Sequence, residues 1–173
     1  MKFIKYKFVK YNNEFPKLYK KENSSLKKIL QKNAKIEHIG STSVPDLGGK
    51  GIIDILVGIK KNQVIKSKNK LMDFGYVLNL AGGNKKRLFF EKDYSKNNLR
   101  RVHVHLVEIN SNEWKNPIIL RDYLRSNKQA RKKYEELKKE ATKICKNEGE
   151  VYRKLKKVFL DKLTKRALNF LEK

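Results

Sequence analysis

Asp54 is an acid where the chain should carry none. It stands in Ile52-Ile53-Asp54-Ile55-Leu56-Val57, a run otherwise apolar on both faces. A carboxylate buried in such a strand is costly unless it is hydrogen-bonded, paired or bound to a metal. Two readings stay open: a metal ligand, or one half of an ion pair with a neighbouring Lys or Arg. A short loop earlier, Gly40-Ser41-Thr42-Ser43 closes another strand. There the glycine lets the backbone turn tightly, and the hydroxyls and amides offer donors to a phosphate. Gly-Ser-Thr turns often only connect elements, and it is the nearness of Asp54 that gives this one chemical interest.

The three histidines, His38, His103 and His105, all fall in segments that read as strands of the same sheet region. His103 and His105 are two residues apart, so their side chains leave one face with Cα atoms about 7 Å apart. From there two imidazoles can converge on one ion or phosphate, or satisfy buried hydrogen bonds beside Asp54. Glu108 lies on the other face and is a poorer partner. Lys50 before the Asp54 strand, Arg87 at the start of another, and Arg100 with Arg101 before the His-x-His strand put cations at strand ends. Each alone reads as surface charge, and together they could clamp a triphosphate, Arg giving the better bidentate contact.

The elements that must position these groups follow from periodicity. Ile4, Tyr6 and Phe8 alternate with lysines as a strand does. A helix is expected from about Glu14 to Lys32, its apolar positions Phe15, Leu18, Leu26, Ile29 and Leu30 recurring at three and four residues, with Asn23-Ser24-Ser25 as a weak point. Strands Ile36 to Ile39 and Gly51 to Ile59 flank the glycine-, serine- and proline-containing loop. A helix to about Phe74, capped by Gly75, precedes strands near Tyr76 to Leu80, Arg87 to Lys92 and Val102 to Ile109. Pro117 opens a helix that runs on through Tyr134 and Leu137. After Gly149 a last helix carries a stripe, Tyr152, Leu155, Val158, Phe159 and Leu163, that should pack on the sheet.

At 173 residues and 39% hydrophobic the chain can bury a core as one domain, 1–173. The lone Cys145 has no internal partner, and lysines interrupt every apolar pair of the first ten residues, so no signal segment and no membrane span are expected. These features point to a cytoplasmic protein. The net charge of +25 favours anionic ligands. Because the lysines are scattered through every segment, it reads as a solvated basic surface ahead of a dedicated nucleic-acid face.

The run Ile36-Glu37-His38-Ile39-Gly40-Ser41-Thr42-Ser43-Val44-Pro45, with Lys50 and Ile52-Ile53-Asp54-Ile55, resembles the signature of the GrpB family, also called UPF0157, almost residue for residue. The resemblance extends to Arg87-Leu88-Phe89-Phe90, Arg100 with His103-Val104-His105, Arg121 to Arg125 and the helix of Tyr152, Lys156 and Phe159. It implies a nucleotidyltransferase-like α+β fold: a mixed β-sheet flanked by helices, with C-terminal helices packed on the sheet. It further implies Asp54 and Ser41 as catalytic residues. Gly40, Ser41, Thr42, Lys50, Arg87 and Arg100 would bind a nucleoside triphosphate. Asp54, His103 and His105 would hold Mg²⁺ or Mn²⁺ for transfer of a nucleotidyl group. One departure stands out: where the wider pattern has a second acid two residues after the first, this chain has Leu56. Similar domains are fused to dephospho-CoA kinase, which implies the alternative of a non-catalytic module binding a nucleotide or coenzyme A precursor.

Overall fold

The computed structural model describes residues 7–31, 34–94, 101–145 and 148–171. Five strands, β1 (Ala34–Ile39), β2 (Ile53–Ile59), β3 (Val77–Leu78), β4 (Arg87–Asp93) and β5 (Arg101–Glu108), form one sheet in the order β1-β2-β5-β4-β3. β2 and β5 run parallel and the other neighbours are antiparallel, so the sheet is mixed as expected. Of the expected N-terminal strand, Ile4 and Tyr6 lie outside the described residues, and Val9 makes an isolated bridge to Gly49.

Alternation along β2 sorts its side chains between two cores. Ile53, Ile55 and Val57 join Val104, Leu106 and Phe90 on the face covered by α1 (Glu14–Leu30) and α2 (Val64–Asp73). Each such side chain contributes about 1.5–3 kcal/mol by leaving water. On the other face Leu56, Ile39 and Val107 meet Trp114 of α3 (Asn112–Ser126). α1 is unbroken at its serines, and Ser24 and Ser25 donate back to the carbonyls of Lys20 and Lys21.

α3 begins five residues before Pro117, since the Ser111 side chain caps it by accepting from Trp114 N. The expected single helix through Tyr134 is two. Asn127 ends α3, and its side chain accepts from Ala130 N to start α4 (Lys128–Ile144). α3 lies on the sheet, whereas α4 and α5 (Gly149–Leu171) pack on α3 and on each other. Leu163 of α5 enters a second core with Val44, Leu47, Leu124 and Tyr134, and Tyr134 stacks on Phe159. The α5 stripe is therefore not wholly buried: Val158 is 63% exposed. Among the described residues no helix is long and apolar enough to cross a membrane.

Candidate functional site: a carboxylate, two imidazoles and three lysines

The site grows from the end of β1. Gly40 has φ +72°, and a Cβ there would lie 2.4 Å from Asp54 Oδ2, so the turn rests its backbone on the carboxylate and only glycine fits. The 3₁₀ turn Ser41–Ser43 is then tied down from within. Ser43 Oγ donates to Gly40 O at 2.7 Å and Thr42 Oγ1 to Ile52 O at 3.1 Å. From outside, Arg125 of α3 donates to Ser43 O through Nε at 3.0 Å and Nη2 at 2.7 Å. Its neighbour Arg121 donates through Nη1 to Glu37 Oε2 at 2.6 Å and to His38 O at 3.0 Å.

Register brings the acid and the histidines together. In the parallel ladder Asp54 lies opposite His103 and Leu56 opposite His105, all on one face. His103 Nδ1 is 3.3 Å and His105 Nε2 3.6 Å from Asp54 Oδ1. The Phe89 ring contacts both imidazoles, with centroids 4.8 and 5.1 Å away. Glu91 Oε1 comes within 3.5 Å of His103 Nε2, but that nitrogen and His105 Nδ1 are enclosed and make no hydrogen bond. Burial alone would raise the Asp54 pKa; its contacts with His103 and His105 prevail and hold the carboxyl far below the ordinary range. Burial lowers that of His105, against the pull of Asp54.

Two hollows meet at Asp54, Gly40 and Ser41, which line both together with Tyr134 and Lys156. One, about 140 Å³, reaches Lys50, Lys138 and Tyr152. The other, about 310 Å³, reaches Arg87, His105 and Leu160. Lys138 is 3% exposed; its Nζ donates to Gly48 O and sits 4.7 Å from the Tyr134 ring centroid. Lys50 and Lys156 stand 4.9 and 4.8 Å from the Tyr152 centroid. Burial, then the charge of Lys156, depress the pKa of Lys138 well below the usual lysine value, while burial pushes the Tyr152 hydroxyl up to about 12.

Seven of the residues singled out by sequence therefore line this cleft: Gly40, Ser41, Lys50, Asp54, Arg87, His103 and His105. Two others, Thr42 and His38, do not take the places expected for them. Thr42 is buried, its hydroxyl held by Ile52 O and His38, so it faces away from any ligand. His38 is on the opposite sheet face, stacked on Tyr19 with centroids 4.4 Å apart, because it pairs with Ile55 rather than with Asp54. Arg100 lies outside the described residues; its neighbour Arg101 lines a different hollow with Glu22 and pairs with Asp93 at 3.8 Å. Sequence reasoning missed Lys138 and Tyr134 as site residues. Their signal was a lysine four residues after a tyrosine on the buried side of a helix, where solvated charge has no place.

The mixed sheet flanked by helices is a fold that this chain shares with other proteins of known structure. Cid1 poly(U) polymerase in its MgGTP-bound structure is similar in fold, with TM-score 0.54 and 15% identity over 78% of this chain and 44% of that one. GrpB from Enterococcus faecalis is similar throughout, with TM-score 0.83 and 30% identity over 96% of this chain and 100% of that one. The glutamate-rich protein GrpB of Alkalihalophilus pseudofirmus is 33% identical over 160 residues, 90% of this chain and 91% of that protein. YqkA of Bacillus subtilis, a UPF0157 protein, is 30% identical over 138 residues, which span 79% of this chain and 39% of that protein. The family described as GrpB protein matches residues 5–166, and the chain belongs to it.

The Mg²⁺ or Mn²⁺ expected from the sequence resemblance are hard ions that prefer several oxygen ligands. Here Asp54 is the one carboxylate among the described residues that line the cleft, and two imidazoles are turned toward it. Leu56, two residues on, is 1% exposed and packed on Ile39, Val107 and Trp114. Among the described residues no three His, Cys, Asp or Glu side chains are arranged to hold a metal ion. The residues do not fit a site for either ion.

Proposed function

We propose that the chain acts as one domain, 1–173, that binds the phosphates of a nucleotide in the cleft between the Gly40-Ser41 turn and helices α4 and α5. Lys138 carries this reading: its amine is 3% exposed and lines the cleft beside Lys156, and an anionic ligand entering there would add to the charge of Asp54 and Glu135 that already favours its ammonium form. Ser41 and the turn amides would donate to the phosphates, Lys138 and Lys156 would pair with their charge, and Arg87 would guard the larger hollow, where the rest of the ligand fits. Asp54, fixed by its histidines, would keep the turn in shape from below.

Transfer of a nucleotidyl group is the second reading, favoured by the fold shared with a poly(U) polymerase. An acceptor hydroxyl would then bond to the α-phosphorus, pyrophosphate would leave, and the hydroxyl proton would need a base. Asp54 suits that duty poorly, since a carboxyl held so far below its ordinary pKa attracts a proton weakly. The geometry thus supports binding better than turnover.

Thermal-shift titration with nucleoside triphosphates and coenzyme A precursors, run beside incubation with labelled nucleoside triphosphates and small-molecule or RNA acceptors, separates the readings. Stabilisation that saturates without labelled product is the expected result. Product formation lost in Asp54→Asn would establish transfer, and absence of any shift would remove both readings.

A further inference from the structure

Polyphosphates carry several negative charges, and a protein can meet them with metal ions held by carboxylates or with ammonium and guanidinium groups of its own. The two solutions leave opposite signatures. A metal site gathers acids, whereas a site without metal gathers cations and keeps acids few. The smaller hollow has the second signature: Lys50, Lys138 and Lys156 reach its wall, and Asp54 is the one acid among the described residues that line it.

Its construction sharpens the point. The Nζ atoms of Lys50 and Lys156 stand over one ring, that of Tyr152, and the Nζ of Lys138 stands over Tyr134, so the π faces of two buried rings hold three like charges close together. A Cβ on Gly49 would lie 2.4 Å from Ser41 Oγ and 3.0 Å from Lys138 Nζ, which shows how closely the loop backbone, the Ser41 hydroxyl and that ammonium approach one another. Asp54 meanwhile has both imidazoles within 3.6 Å of one oxygen, a place where an incoming cation would have to displace existing partners. A divalent ion entering here would face the amine groups of Lys138 and Lys156 and gain one occupied carboxylate.

We infer that the cleft holds the polyphosphate of its ligand without a divalent cation, the ammonium groups of Lys138 and Lys156, with Lys50 at the rim, supplying the positive charge that metal ions supply elsewhere in this fold class. The inference rests on the phosphate-binding reading above and deepens it by naming the ionic state of the ligand: the metal-free polyanion. Asp54 then serves as a fixed negative charge that holds the turn and the histidines, at some cost to anion affinity.

The test is isothermal titration of the full chain with inorganic tripolyphosphate and with ATP, once in EDTA and once with Mg²⁺ or Mn²⁺ in excess. In EDTA both probes bind, and added metal leaves affinity unchanged or weakens it by sequestering the free polyanion. Lys156→Met, on a half-buried side chain, weakens binding about tenfold, the scale of one charge-assisted contact. Circular dichroism confirms that each variant is folded, and Lys138→Met serves as a second lysine variant, its length and shape being close to those of lysine. Tightening of tenfold or more on adding Mg²⁺ or Mn²⁺ overturns the inference while leaving phosphate binding in place. Absence of binding in both conditions overturns the phosphate-binding reading and this inference with it.

Discussion

Asp54 Oδ1 and His103 Nδ1 lie 3.3 Å apart because β2 and β5 run parallel with these two residues in register. A one-residue slip of β5 would send both histidines to the α1 face and bring Val102 and Val104 to the carboxylate. Register and site are thus the same fact, and the apolar residues that fix the register also fix the chemistry.

Gly40→Ala should damage the site more than its size suggests. The new methyl would meet Asp54 Oδ2 at 2.4 Å on a backbone with φ +72°. A loss of about 1–3 kcal/mol in urea unfolding is expected from the strain. Nucleotide-induced stabilisation should fall with it, and a variant as stable and as responsive as the parent would refute the tight approach.

His38 predicts a pH dependence of stability. Thr42 spends its one hydroxyl hydrogen on Ile52 O, so His38 Nε2 must donate to Thr42, and the buried ring is neutral. Burial, partly offset by Asp54, lowers its pKa from 6.5 to about 4. The unfolded chain therefore binds more protons than the folded one between these values. Stability from this group is full above pH 6.5 and is lost as pH falls toward 4, below which the loss levels off. The total is on the order of 3 kcal/mol. Unfolding curves at pH 7, 5.5 and 4.5 should show a steeper decline for the parent than for His38→Gln; parallel declines would contradict a neutral buried ring.

Much of this fold is visible in the sequence. The alternation of Ile53, Ile55 and Val57, the helical stripe of α1 and the glycine after α2 each obey a local rule, and the elements stand close to where those rules put them. Asp54 betrayed itself as an acid in an apolar strand. What could not be read depends on contacts distant in sequence. His38 and His103 look equivalent until pairing puts one opposite Ile55 and the other opposite Asp54. Lys138 looks like surface charge until α4 folds over the loop and its Nζ reaches Gly48 O, 90 residues away. Pro117 misled as a helix start, because the Ser111 cap lies a turn and a half earlier.

Arg125 predicts a division between stability and binding. Its Nε and Nη2 both donate to Ser43 O, a fork that lysine cannot reproduce. Arg125→Lys should cost about 0.5–1.5 kcal/mol of stability. It should weaken nucleotide binding more than that, since the turn that presents Ser41 loses its outer tie. Equal affinity in calorimetry would show that the turn needs no such support.

Gly58 supplies the opposite control. A Cβ there would lie 2.5 Å from the Trp114 ring, on the far side of Leu56 from Asp54. Gly58→Ala should therefore destabilise by about 1–3 kcal/mol through overpacking. Binding measured at a temperature where the variant is fully folded should be unchanged, and a large loss of affinity would mean that the Trp114 core and the cleft are coupled.

Phosphates bound by this chain should sit between the Gly40-Ser41 turn and the lysines of α4 and α5. A crystal structure with a non-hydrolysable nucleoside triphosphate tests this placement most directly. Phosphate oxygens are expected within hydrogen-bonding reach of Ser41, Lys138 and Lys156, with Asp54 beneath the turn and still held by its histidines. A triphosphate bound instead along the groove of Lys85, Lys86 and Glu108 would contradict it.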